Sequence, residues 1–177
     1  MGARLNGASL LVVVTVALAA CSSPDRDVAP AGPPVQIAEG VAPGTGVQWT
    51  ALLYRTADGL VCTQFRWNGD PNRGDGGCGS GTAPFVTREP GHTTWVIGGS
   101  DDPAAVSAVV RFAVVRPPVT VGLVEPSPGV TEGIRYYAVS IAGGPDVIAI
   151  DIMDAAGTVL LSQPIDLPAP AGIPTPS

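Results

Sequence analysis

Val47-Gln-Trp-Thr-Ala-Leu-Leu-Tyr-Arg-Thr-Ala-Asp-Gly-Leu-Val-Cys-Thr-Gln-Phe-Arg-Trp67 is the stretch on which the fold turns. Val47, Trp49, Ala51 and Leu53 alternate with Gln48, Thr50, Leu52 and Tyr54. A period of two places successive side chains on opposite faces of a strand. Thr56-Ala57-Asp58-Gly59 breaks the alternation, and an Asp-Gly pair between two alternating runs is a strong hairpin signal. The return strand Leu60–Trp67 sets Val61, Thr63, Phe65 and Trp67 on one side and Cys62 on the other.

The same logic extends in the C-terminal direction. A glycine-rich loop carrying Cys78 is expected over Asn68–Thr82. Thr93–Gly98 reads as a short strand. Asp102-Pro103-Ala-Ala reads as a turn that feeds the valine-rich run Val106–Val115, which favours extended chain. After Pro117-Pro118, the alternation of Val119, Val121 and Leu123 predicts another strand. Ile134–Ile141 and Val147–Met153 follow, joined by Ala142-Gly-Gly-Pro145, and Asp154-Ala-Ala-Gly157 turns into Thr158–Ser162. Seven or eight short strands without a long amphipathic helix define an all-β class, a small antiparallel β-sandwich of immunoglobulin-like type.

The chain has 177 residues and a formal net charge of −6. That length fits one domain. The acidic balance opposes nucleic-acid binding, which needs a basic footprint. All basic residues are arginine, so lysine-dependent chemistry is excluded. Residues 22–46 are rich in proline and glycine and contain no aromatic residue. Such chain buries too little apolar area to offset its entropy. A semi-stiff tether over 21–46, a folded body over 47–162 and a disordered proline-rich tail over 163–177 are expected.

Residues 1–20 carry one positive charge, Arg4, and the apolar run Leu10–Ala20. The run is short for a spanning helix, which needs about 20 residues, and fits the core of a secretory signal. Leu18-Ala19-Ala20-Cys21 closes it and resembles the lipobox of bacterial lipoproteins. The resemblance implies that the Cys21 thiol receives a diacylglycerol and that a signal peptidase cuts before it. Cys21 would then be the acylated N-terminus, held on the extracytoplasmic side of the cell membrane by chains such as palmitate. Each buried CH₂ contributes about 0.8 kcal/mol, so two or more chains make a stable anchor. Asp154-Ala-Ala-Gly-Thr-Val-Leu160, with Tyr136-Tyr137 before it, also resembles small secreted β-sandwich lipoproteins of high-GC bacteria. That likeness implies no activity.

With Cys21 acylated, Cys62 and Cys78 remain, and two cysteines in an exported domain are expected to pair. A redox pair would normally show a C-x-x-C spacing, which is absent. His92 is the single histidine, so a hydrolase would have to combine it with Ser80 or Ser100. Neither serine sits in a G-x-S-x-G elbow, and His92 lies in a turn-like Glu89-Pro-Gly-His-Thr. Asn68, Asp70, Asn72 and Asp75 supply oxygens of the kind calcium takes, without the bidentate Glu of a full loop. Asp151 is expected to face solvent and Asp154 to open a turn. Trp49, Trp67, Trp95, Tyr54, Tyr136 and Tyr137 either line a groove or fill the core.

These residues lead to a non-enzymatic lipoprotein without metal or cofactor. Its expected partners are the membrane, through the lipid, and an envelope protein, a cell-wall component or a small molecule. The competing readings are an envelope hydrolase using Ser80 and His92, and a structural or assembly factor without a ligand.

Overall fold

Thr93-Thr-Trp-Val-Ile-Gly-Gly-Ser100 contains no charged residue, and all eight of its positions are buried. In the computed structural model, which describes residues 30–89, 93–126, 130–144 and 146–165, this strand lies in the middle of a layered sandwich. Strands are numbered in chain order. The first sheet runs β1 (Val35–Val41), β2 (Gln48–Arg55), β3 (Val61–Trp67), β4 (Asp70–Gly79). The second runs β5 (Phe85–Glu89), β6 (Thr93–Ser100), β9 (Arg135–Ala142). The third runs β11 (Val159–Pro164), β10 (Val147–Met153), β7 (Ser107–Phe112), β8 (Val119–Gly122). All pairings within the sheets are antiparallel.

The middle sheet is apolar on both faces. Trp95 and Ile97 of β6 and Ala138 of β9 pack against Trp49, Ala51 and Phe65 of the first sheet. Val96, Tyr137 and Ile141 point the other way, onto Ala108, Val110, Phe112, Ile150 and Ile152 of the third. A strand covered on both sides loses the apolar–polar alternation that marks a half-buried one. β6 accordingly shows none.

Aromatic rings lie over glycines at three cross-strand pairs. Gly98 faces Tyr137 and Gly99 faces Tyr136 across β6 and β9. A Cβ on Gly98 would sit 2.3 Å from the Tyr137 hydroxyl oxygen, and one on Gly99 would sit 3.1 Å from Tyr136 Cε1. The two rings occupy opposite faces of the sheet, so consecutive glycines make room for both. Gly40 and Trp49 repeat the arrangement on β1 and β2, with the indole 3.0 Å from a Cβ built on Gly40. An aromatic ring covers the backbone that a glycine leaves bare and recovers the packing a missing side chain forfeits.

The all-β sandwich agrees with the sequence-based expectation of seven or eight strands, and each run read there as extended forms a strand. Three further strands bring the total among the described residues to 11. β1 corrects the tether: within 21–46, the proline-free run Val35–Val41 pairs with β2 and sends Val35, Ile37 and Ala38 to the core. Ahead of it, Pro30 bridges Thr56. β4 corrects the loop at 68–82. Asn68 (φ 54°) and Gly69 (φ 71°) make a two-residue turn that pairs Trp67 with Asp70, the geometry that Asn-Gly favours. β5, Phe85–Glu89, pairs with β6. The body also runs past Ser162, because Gln163 and Pro164 pair with β10. Proline is tolerated there because β11 is an edge strand.

The Asp58-Gly59 turn forms as expected. Gly59 N–H donates to the Thr56 carbonyl at 3.0 Å, and Gly59 has φ 87°. Leu60 N–H donates to the Thr56 hydroxyl at 3.0 Å.

Gly98→Ala and Gly99→Ala force a methyl group into filled space and should each lose about 1–3 kcal/mol in urea unfolding. Gly122→Ala enters open space and should stay within about 0.5 kcal/mol of the parent. Equal losses at all three would contradict the packing described.

Candidate functional site

Cys62 and Cys78 form the disulfide, with an S–S distance of 1.99 Å. They stand directly opposite each other on β3 and β4. Cys62 lies on the face away from Val61 and Phe65, as the alternation predicts, and is fully buried. The bridge holds a strand that could not hold itself by side-chain packing, since nearly all of β4 is exposed. Glycine lets β4 lie close to its neighbour: a Cβ on Gly74 would fall 2.0 Å from the Phe65 carbonyl oxygen, and one on Gly76 2.3 Å from that of Thr63. Asp75 adds a tie, accepting from Gly76 N–H at 2.9 Å and from the Thr87 hydroxyl of β5.

The other candidate residues are not gathered. Cys21 and His92 lie outside the described residues. The Ser80 hydroxyl pairs with that of Thr82 at 3.2 Å. Ser100 is buried, and its hydroxyl accepts from Asp102 N–H at 3.2 Å. In the β3–β4 hairpin the oxygens serve the backbone. Asn68 Oδ1 accepts from Gln48 N–H at 3.1 Å, and Asp70 Oδ1 from Asn72 N–H at 2.9 Å. No group of three or more His, Cys, Asp or Glu able to hold a metal occurs among the described residues.

Asp151 sits on the outer face of the third sheet. It is mostly covered rather than solvated, because Arg111 Nε approaches its Oδ2 at 2.9 Å and the Ser162 hydroxyl donates to Oδ1 at 2.6 Å. Asp154 caps the β10–β11 turn, its Oδ1 accepting from Ala156 N–H at 2.9 Å and Thr158 N–H at 2.7 Å.

Five of the six aromatic residues belong to the core, and the sixth, Tyr54, is half-buried opposite Cys62. Trp95, Tyr136, Tyr137 and Trp49 are buried. Trp67 stacks at a tilt on Trp95 with centroids 5.1 Å apart, and Trp49 meets Phe65 edge-on at 5.7 Å. The surface concavities are shallow and small. One of about 360 Å³ lies beside Trp49, bounded by Glu39, Val41, Gln48 and Gly69. Another, of about 230 Å³, lies between Glu125, Thr131, Glu132 and Ile134. The cleft beside the disulfide holds about 120 Å³.

Two guanidiniums brace the loops at one end. Arg55 donates to the Val130 carbonyl through Nε (3.1 Å) and one terminal nitrogen (3.0 Å), and to the Gly59 carbonyl at 3.0 Å. Arg135 donates to the Asp102 carbonyl at 3.0 Å and to that of Pro103. Beneath them, burial raises the Tyr136 hydroxyl above the ordinary tyrosine pKa, outweighing the opposing pull of the Thr131 hydroxyl and the Arg55 charge. Tyr137 is likewise raised, by burial alone, and its hydroxyl has no hydrogen-bond partner among the described residues.

No family model, curated protein or solved structure matches the chain.

Non-reduced protein should leave Cys62 and Cys78 unlabelled by an alkylating reagent. The Cys62→Ala, Cys78→Ala double variant should lose about 3 kcal/mol of stability, the chain-entropy value for a loop of this size. Labelling of both thiols would contradict the bridge.

The buried tyrosines give a pH prediction. In the unfolded chain they ionise near pH 10, whereas burial in the fold raises both. The native state therefore holds more protons there, and stability falls as pH rises above about 10. Tyr137→Phe should leave neutral-pH stability within about 1 kcal/mol, since no hydrogen bond is lost, and flatten the alkaline decline. An unchanged decline would count against burial of that hydroxyl.

Proposed function

We propose that this chain is a lipid-anchored extracytoplasmic protein with a non-enzymatic binding or interaction role in the cell envelope. The division of its three cysteines carries the reading. Cys62 and Cys78 are joined across β3 and β4, which suits an oxidising compartment. Cys21, the third, follows directly on Leu18-Ala19-Ala20 at the end of an 11-residue apolar run, Leu10–Ala20. Acylation turns this thiol into the membrane attachment, and the sandwich becomes the part offered to a partner.

A non-enzymatic role is supported by how the polar groups are used. Ser80 and Ser100 bond to local groups, Asp151 is ion-paired, and Asp154 caps a turn. All but Tyr54 of the aromatic residues that a ligand groove would display pack in the core.

Intact mass analysis of the membrane fraction tests the anchor, with wild type beside Cys21→Ala. The expected wild-type species lacks residues 1–20 and carries acyl groups, and the variant leaves the membrane. An unmodified wild-type mass, or a variant that stays membrane-bound, would overturn the proposal.

A further inference from the structure

We propose that the protein stands on its membrane by one defined end of the sandwich, the end bearing the Thr56–Gly59 turn. This rests on the reading of Cys21 as the anchored residue. Pro30 bridges Thr56, and Ala31 N–H donates to the Arg55 carbonyl at 2.7 Å. The chain is therefore docked on the body well before β1 begins. Between Cys21 and Pro30 lie only eight residues, and the covalent length of that stretch keeps the two within about 30 Å of each other. The composition of 22–46 taken as a whole implies a spacer three times as long.

The docking point fixes which end faces the bilayer. The Thr56–Gly59 turn shares its end with the 101–106 turn, with residues 124–126 and 130–134, and with the 154–157 turn. Leu53, Val61, Val130 and Tyr136 cluster there, and Arg55 and Arg135 tie the loops together. The opposite end carries the Asn68-Gly69 turn, the 113–118 connection and, after β9, residues 143, 144 and 146. Ala113 N–H donates to the Asp146 carbonyl at 3.0 Å. Val115 projects fully into solvent at that far end, Val114 next to it in the chain is also exposed, and Val41 is exposed at the same end of the first sheet.

Charge decides how the near end meets the lipid. It presents Asp58, Asp101, Asp102, Glu125, Glu132 and Asp154, against the two guanidiniums of Arg55 and Arg135. Anionic headgroups repel such a surface within a Debye length, about 8 Å at physiological ionic strength. The near end therefore hovers over the bilayer rather than adsorbing, and the valine-tipped end points outward.

The test uses the full mature chain, attached through the Cys21 thiol to a maleimide lipid in vesicles, the other two cysteines being in the disulfide. A fluorescent amino acid replaces either Ala57 or Val115, and energy transfer to a headgroup acceptor is measured. The ends are separated by a strand of about 26 Å, so transfer from position 57 should exceed that from 115 by about threefold or more. Added salt should raise transfer from 57 on anionic vesicles and leave it unchanged on zwitterionic ones. Equal transfer from both positions, or stronger transfer from 115, would overturn the orientation. Because attachment is chemical, this outcome is read whether or not the cell acylates Cys21, which the mass experiment decides separately.

Discussion

Every position of β6 is buried, and Trp95, Val96 and Ile97 must find apolar neighbours in one of two directions, because a sheet covers the strand on each side. Trp95 shows the scale. A buried tryptophan removes about 200 Å² from water, worth roughly 5 kcal/mol at about 25 cal/mol per Å². An ion pair at the surface whose guanidinium is half exposed, such as Arg111–Asp151, contributes about 1 kcal/mol or less. The fold therefore rests on the middle layer. The same constraint explains the glycines: with sheets on both sides, a pair of large rings on β9 fits only where β6 has no Cβ, at Gly98 and Gly99.

The periphery obeys different rules. β4 has almost no side-chain packing and is held by the ladder to β3, the Cys62–Cys78 bridge and the Asp75 tie to β5. Its glycines are a steric necessity at 74 and 76, where backbone oxygens occupy the space of a side chain. The third sheet needs no bridge, because β7 and β10 bring their own apolar residues to the middle layer. Covalent support thus falls on the strand that lacks hydrophobic support.

Much of this was legible in the sequence, where residues follow a simple period. The β2–β3 hairpin, its Asp58-Gly59 turn, β8 and the Asp154 turn all announce themselves by alternation and turn chemistry. β1 was hidden because prolines on either side dominate the composition of 22–46, although Val35–Val41 contains none. β4 was hidden because glycine carries no strand preference, yet Asn68-Gly69 is itself a hairpin signal that points to a strand after it. The double burial of β6 left a fainter mark: eight positions with no charge and no alternation. The Cys62–Cys78 pairing followed from cysteine arithmetic, and its register required the β4 strand to be seen. Cys21 and His92, both legible as chemistry, lie outside the described residues.

Native-state hydrogen exchange tests the central claim most directly. If β6 is the doubly covered heart of the sandwich, the amides of Trp95–Gly99 should be among the slowest in the molecule and exchange only through global unfolding, while those of the exposed β4 exchange orders of magnitude faster. Amides of β6 that exchange as quickly as those of β4 would contradict the layered arrangement.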